Sequence, residues 1–192
     1  VKDNNTSFRP GGQLSNHSAR VAQLLNEGGE RLYRLLARLT MRQEVADDLM
    51  QELVVRLSQS GGFLRADDSF AYARRAAIHL AFDWRRQGRS RRKTEPLAEE
   101  PAIPAPDPLG KLIDHEELEE VLLAMERLSP LSRNCLVLHY LEQLSYLEVA
   151  DQIGVTPHRV RAACHKGIRR IQRLIGGRLN ERMDREVPDD GF

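Results

Sequence analysis

Between residues 157 and 175 the basic side chains avoid the apolar ones. Val160, Cys164, Ile168 and Ile171 recur every three or four positions, and His158, Arg159, Arg161, His165, Lys166, Arg169 and Arg170 fall between them. On a helix of about 3.6 residues per turn, this sorts into one apolar stripe and one cationic face. Such a face makes no bonds; it captures a polyanion. Guanidinium and ammonium groups meet phosphates, and an α-helix fits the major groove with its N-terminal residues at the base edges. The competing reading is a solvated face on an ordinary helical hairpin.

The stretch just upstream favours the first reading. Ser145-Tyr146-Leu147-Glu148 has the form of a capping box, and Gly154 can end the short helix it starts. Thr156 before Pro157 then places a cap residue ahead of a proline suited to a first helical position. Leu147, Val149, Ala150 and Ile153 supply the short helix with a packing face. A short helix, a glycine turn and a longer basic helix have the arrangement of a helix-turn-helix.

Residues 70–87 divide differently. Ala73, Ala76, Ala77, Leu80 and Trp84 share one side, and Tyr72, Arg75, His79, Phe82 and Arg86 lie roughly opposite. Arginine mixed with aromatic rings suits single-stranded or locally opened nucleic acid, where bases stack on rings and phosphates meet guanidinium. Tyr72 and Phe82 are equally suited to packing against another helix. The run RRQGRSRRK, residues 85–93, extends the basic character. Residues 43–59 present the opposite charge: behind an apolar stripe of Val45, Leu49, Leu53 and Leu57, widened by Met50 and Val54, stand Asp47, Asp48, Gln51 and Glu52. That side repels DNA, and on pattern alone it belongs to solvent.

Catalytic chemistry finds no footing. His17, His79, His115, His139, His158 and His165 lack acid or thiol partners at a recognisable spacing, and the carboxylate clusters lack metal-loop glycines. The expectation is a chain that is not an enzyme, with no catalytic residues, no metal and no cofactor. Cys135 and Cys164 sit in helical patterns without CxxC spacing, which points to two buried reduced thiols.

The elements that must position these faces follow from composition and punctuation. Of 192 residues, 30% are charged and only 5% aromatic, which argues for small helical units rather than a large sheet. The net charge of +1 hides segregation along the chain. Residues 1–20 are polar with Gly, Pro and Asn and read as disordered. Helices are expected at 19–27, 30–39, 43–59 and up to about 87, with SGGFLRADDS as a loop and Asp68 or Ser69 as a cap. Residues 94–113 hold five of the nine prolines, and from 94 to 120 nine acidic residues face one Lys, Lys111. They read as an extended acidic linker. Helices at 115–128, 130–142, 146–153 and 157–174 follow, then a polar tail over 177–192. The fold class is all-α: two small helical domains, 21–93 and 114–176, joined by the linker. Without a signal peptide or an apolar run of roughly 18–20 residues, the expected location is the cytoplasm.

Three segments carry a family resemblance. EVADDLMQELVVRL (44–57) and FAYARRAAIHLAFDWRRQ (70–87) resemble sigma factor region 2, and MERLSPLSRNCLVLHYLEQLSYLEVADQIGVTPHRVRAACHKGIRRI (125–171) resembles region 4. In that order they are similar to two-domain extracytoplasmic-function sigma factors of the sigma-70 family. The resemblance implies promoter-specific transcription initiation with an RNA polymerase core as partner. Asp47, Asp48, Leu49, Gln51 and Glu52 would meet the β′ clamp helices. Phe63, Arg65, Tyr72, Arg75, His79, Phe82, Arg85 and Arg86 would engage and open the −10 element. Thr156, His158, Arg159, Arg161, Ala162, His165, Lys166 and Arg169 would read the −35 element, in a domain that also touches the β flap. An anti-sigma factor is a further partner the resemblance admits, and the free chain is expected as a monomer without membrane insertion. The linker would thread the polymerase, or in the free chain lie over a basic face through Glu95, Glu99, Glu100 and Asp107. Four positions depart from the family. His79 stands at a usual Asn, Ala162 and Ala163 replace common Ser and Arg, and Gly167 replaces a usual Ala at about 1 kcal/mol of helix propensity. The alternative is a stand-alone helix-turn-helix regulator with an N-terminal interaction domain.

Overall fold

The computed structural model describes residues 11–92 and 110–186, with side-chain surroundings given for 17–88 and 117–176. The proline-rich stretch of the expected linker and the two extreme ends lie outside the described residues. Every regular element among the described residues is helical. The chain falls into two compact units divided between Ala81 and Phe82.

The first unit is built on α1 (Gly11–Thr40), α2 (Gln43–Gln59), α3 (Gly61–Arg65) and the first half of α4 (Ser69–Arg92). Leu32, Leu35, Leu36 and Leu39 of α1 are buried against Ala46, Leu49, Leu53 and Leu57 of α2. Each set recurs at helical spacing, so each helix has one stripe to remove from water. A two-residue connection joins them. Met41 takes a φ of 60° and the Thr40 hydroxyl donates to the Leu36 carbonyl at 2.8 Å. A connection that short makes the helices antiparallel neighbours.

Two expectations change here. The helices expected at 19–27 and 30–39 are one continuous helix that begins at Gly11. Gly28-Gly29 does not break it, because Gly28 is where the ring of Phe70 packs: a Cβ there would lie 2.5 Å from two ring carbons. The loop expected at SGGFLRADDS contains the one-turn helix α3, capped by the Ser60 hydroxyl, which accepts from the Phe63 amide. The Asp68 carboxylate accepts from the Ala71 amide at 2.8 Å and so caps α4, as the sequence allowed.

The second unit holds the rest of α4, then α5 (Gly110–Met125), α6 (Pro130–Leu136), α7 (Tyr146–Ile153) and α8 (Pro157–Glu186). The helix expected at 130–142 is α6 continued by a π-helical turn over Val137–Leu141, where the Glu142 amide donates to the Val137 carbonyl at 3.0 Å. Leu122, Met125, Leu128, Cys135, Leu136, Leu138, Val149, Val160 and Cys164 form the core. Both cysteines are free thiols. Cys135, hydrogen-bonded to Cys164 and buried, is held well above the ordinary thiol range. Gly167 is also a packing residue: a Cβ would sit 2.8 Å from Leu136 Cδ1, so the propensity lost in the helix is exchanged for close approach of α6. Leu147, expected in the core of α7, is instead 70% exposed, while Val149 and Ala150 carry the packing.

The two adjacent glycines of α1 separate propensity from packing. Gly29→Ala meets only ordinary contacts at 3.7 Å or more and should stabilise the chain by up to about 1 kcal/mol. Gly28→Ala must displace the Phe70 ring and should destabilise it by about 1–3 kcal/mol. Urea unfolding midpoints moving in opposite directions check the pair.

Candidate nucleic-acid interface

The cationic face of α8 depends on how the helix begins. Ser145 accepts from the Glu148 amide at 3.2 Å while Glu148 accepts from the Ser145 amide at 2.8 Å, so both halves of the capping box are made. Gly154 then closes α7 in the left-handed region at φ 74°, where a side chain would be strained. Thr156 accepts from the Arg159 amide at 3.3 Å and Pro157 takes the first helical position. With Val160, Ala163, Cys164 and Gly167 turned into the core, Thr156, His158, Arg159, Arg161, Ala162, His165, Lys166 and Arg169 all stand exposed. The eight residues expected to read DNA therefore share one solvent face. The Arg161 guanidinium lies 5.4 Å from the Tyr146 ring, which restrains it between α7 and α8.

The surface at α3 and α4 is more mixed. Arg65, His79 and Arg86 are exposed, and Tyr72 and Arg75 are half-buried. Tyr72 shares a 2.8 Å hydrogen bond with Ser60, and its ring packs at 6.0 Å from Phe63. Arg75 in turn lies 6.0 Å from the Tyr72 ring. Phe63 and Phe82, expected as rings for bases, are both 0% exposed. In this arrangement they hold the core, because the apolar face of α4 is wide enough to take in residue 82. Arg85, expected at phosphates, is also inside: its Nη2 donates to Glu119 at 2.8 Å and its Nε to Glu126 at 3.2 Å. Both Arg85 and Glu126 side chains are under 5% exposed (4% and 3%), so this pair answers α5 rather than solvent. Arg86 pairs with Asp83 on the surface.

On α2, Asp47, Asp48, Gln51 and Glu52 are exposed beside Val55, while Leu49 is 5% exposed and belongs to the core. Burial first, and then the Asp47 carboxylate that accepts from it, push the Tyr33 phenol above its ordinary value. Glu52 pairs with Arg56 one turn on, an exposed contact that contributes little to stability.

Two residues escaped the sequence reading. Arg20 lies in a stretch that composition marks as polar and unstructured, yet it clamps the α3–α4 connection. Arg31 stacks 4.4 Å from the Phe70 ring. Both line an open groove of about 1080 Å³ with Gln23, Glu27, Asp67 and Asp68. Neither position carries a spacing signal, because their partners lie some 40 residues away. Among the described residues no cluster of His, Cys, Asp and Glu is arranged to hold a metal ion, and no helix is long and apolar enough to cross a membrane.

Comparison with known proteins places these surfaces in context. The family described as Sigma-70, region 4 matches residues 118–171, from the end of α5 through the cationic part of α8. The chain is 30% identical over 162 residues to the ECF RNA polymerase sigma factor SigE of Mycolicibacterium smegmatis, covering 83% of this chain and 63% of that one. It thus spans less than two thirds of that relative's length. It is also 30% identical over 149 residues to the RNA polymerase sigma-E factor of Streptomyces antibioticus, covering 73% of this chain and 79% of the relative. In fold it is similar to CnrH, solved in complex with the cytosolic domain of CnrY, at a TM-score of 0.50 and 17% identity over 86% of this chain and 93% of that one.

The ion pairs of Arg85 give a test of what that residue does. Arg85→Met leaves the Glu126 carboxylate buried without its guanidinium and should lower the unfolding free energy by about 3–5 kcal/mol. Glu119→Gln, at a side chain 38% exposed, should cost less than about 1 kcal/mol. Urea unfolding followed by circular dichroism measures both.

Proposed function

This chain belongs to the extracytoplasmic-function group of RNA polymerase sigma factors, and from that premise we propose that it directs transcription initiation by gripping promoter DNA at two places. The observation that carries the reading is the face of α8: Thr156 just before the helix and seven exposed positions on it, four of them Arg or Lys, set by a complete capping box, a left-handed glycine and a Thr-Pro start. In this reading α8 enters the major groove at the −35 element. Arg159, Arg161 and His165 sit near its N-terminus for base edges, and Lys166 and Arg169 further along for phosphates.

Arg65, Tyr72, Arg75, His79 and Arg86 form the −10 surface. Opening the duplex there rests on binding energy alone, since captured single-stranded bases offset lost stacking of about 1.4 kcal/mol per step. Phe63 supports the Tyr72 ring of that surface from within, whereas Phe82 packs against Arg133 and Arg85 is held by Glu119 and Glu126. The acidic face of α2, with Asp47, Asp48, Gln51 and Glu52, is the contact for the polymerase β′ clamp helices, and exposed Val55 gives that contact an apolar centre. Leu147, the most exposed large apolar side chain of the second unit, suits a protein contact such as the β flap. The polymerase makes the bonds; the chain supplies position. The domain limits that go with this reading are 21–93 for the first domain and 114–176 for the second, with an anti-sigma factor as a further partner.

Run-off transcription with core polymerase tests it. The chain should give promoter-specific transcripts, whereas a stand-alone regulator would saturate duplex DNA without core and yield none. Asp48→Arg with Glu52→Arg should abolish co-elution with core while leaving the circular dichroism spectrum intact; undiminished co-elution would remove α2 from the interface. Arg161→Ala should cost about 1–3 kcal/mol at one base position of the −35 element, measured by titration against single-base variants. An equal loss on every sequence would make Arg161 a phosphate contact.

A further inference from the structure

The connection between α3 and α4 is three residues long, Ala66, Asp67 and Asp68, and α3 itself is one turn. A helix of five residues does not hold itself, since nucleation is unfavourable and its last carbonyls have no partner within the helix. Its N-terminal end is fixed by Ser60. Its C-terminal end is fixed from α1, by Arg20.

All three nitrogens of that guanidinium are committed. Nε donates to the Ser69 hydroxyl at 2.8 Å, Nη1 donates to the Leu64 carbonyl at 2.8 Å, and Nη2 donates to the Ala66 carbonyl. The planar group also lies 5.5 Å from the Phe63 ring. One side chain thus joins the last turn of α3, the connection and the first residue of α4. With three of its five N–H donors fixed on backbone and hydroxyl oxygens, the guanidinium is poorly oriented to bind phosphate as well. Its consequence is instead where Arg65 and Asp67, both exposed, project.

We infer that Arg20 is a positioning residue for −10 recognition: it pre-shapes the α3–α4 connection so that Arg65 and Asp67 meet the promoter strand without first having to be ordered. This rests on the reading of α3–α4 as the −10 surface. Ordering a loop at the moment of binding subtracts from affinity and blurs discrimination, and a preformed loop avoids both. Lysine does not replace the fork, because an ammonium is a point charge on a flexible stem and cannot take three fixed acceptors in one plane.

The test uses the full chain with Arg20→Lys and Arg20→Gln. In the free protein, amide hydrogen exchange over residues 61–69 should accelerate roughly tenfold or more in both variants, with α2 within about twofold of the parent. Unchanged exchange overturns the clamp. With core polymerase, and a promoter selected by the parent chain from a randomised −10 library, both variants should co-elute with core as the parent does. Their preference for the selected −10 sequence over single-base substitutions should fall roughly tenfold. Equal weakening on every −10 sequence, or preference retained by Arg20→Lys, would reduce Arg20 to a structural residue and overturn the inference. A parent chain that selects no −10 sequence at all would overturn the −10 surface itself, an outcome distinct from any variant's failure.

Discussion

Carbonyl groups in the last turn of a helix have no partner inside it, and in this protein arginine supplies one. Arg133, 3% exposed, donates to the carbonyls of Met125, Glu126 and Leu128 at 3.1–3.3 Å, closing the end of α5 and the turn into α6. Its guanidinium also stacks 4.6 Å from the Phe82 ring. Burial, and then the nearby Arg86 charge, lower its pKa from the ordinary arginine value. Arg20 does the same work at the end of α3. Short helices with short connections leave little apolar surface to hold each corner, so the corners depend on polar clamps whose loss would expose several backbone groups at once.

That constraint divides the arginines into populations with different physics. Arg74, Arg85 and Arg133 are buried and answer to rings, carboxylates and carbonyls of the chain itself. Arg159, Arg161, Arg169 and Arg170 are exposed on α8 and answer to whatever polyanion approaches. Only exposed arginines of the second kind can contribute to counterion release, so the total basic count says little about affinity for a polyanion. The net charge of +1 is uninformative for the same reason: along the sequence the acids concentrate at 44–52 and 95–120, and the bases at 85–93 and 158–173.

The supports of the α8 surface are local. Capping box, left-handed Gly154 and Thr156-Pro157 all lie within a dozen residues, and each cap is worth about 0.5–2 kcal/mol. The α3–α4 surface depends on contacts from far along the chain: Arg20 to Leu64 and Phe70 against Gly28.

Much of the local chemistry was legible in the sequence, although the Ser60 cap that starts the one-turn α3 was not. Ser145 and Glu148 had to cap α7, Gly154 had to end it, and Val160 and Cys164 had to turn inward, because those outcomes rest on residues within one or two turns of each other. The acidic face of α2 followed from the same periodicity, as did the all-helical fold class. Tertiary structure decided which wide faces closed. Phe63, Phe82 and Arg85 have the composition of a nucleic-acid surface and became core, since periodicity sorts residues around an axis without saying how much of the circumference a neighbour covers. Leu147 went the other way, and Gly28 and Gly167 look like weak points until Phe70 and Leu136 are seen against them. Arg20 had no signal at all: its value lies in acceptors more than forty residues off, and only the folded chain brings them together.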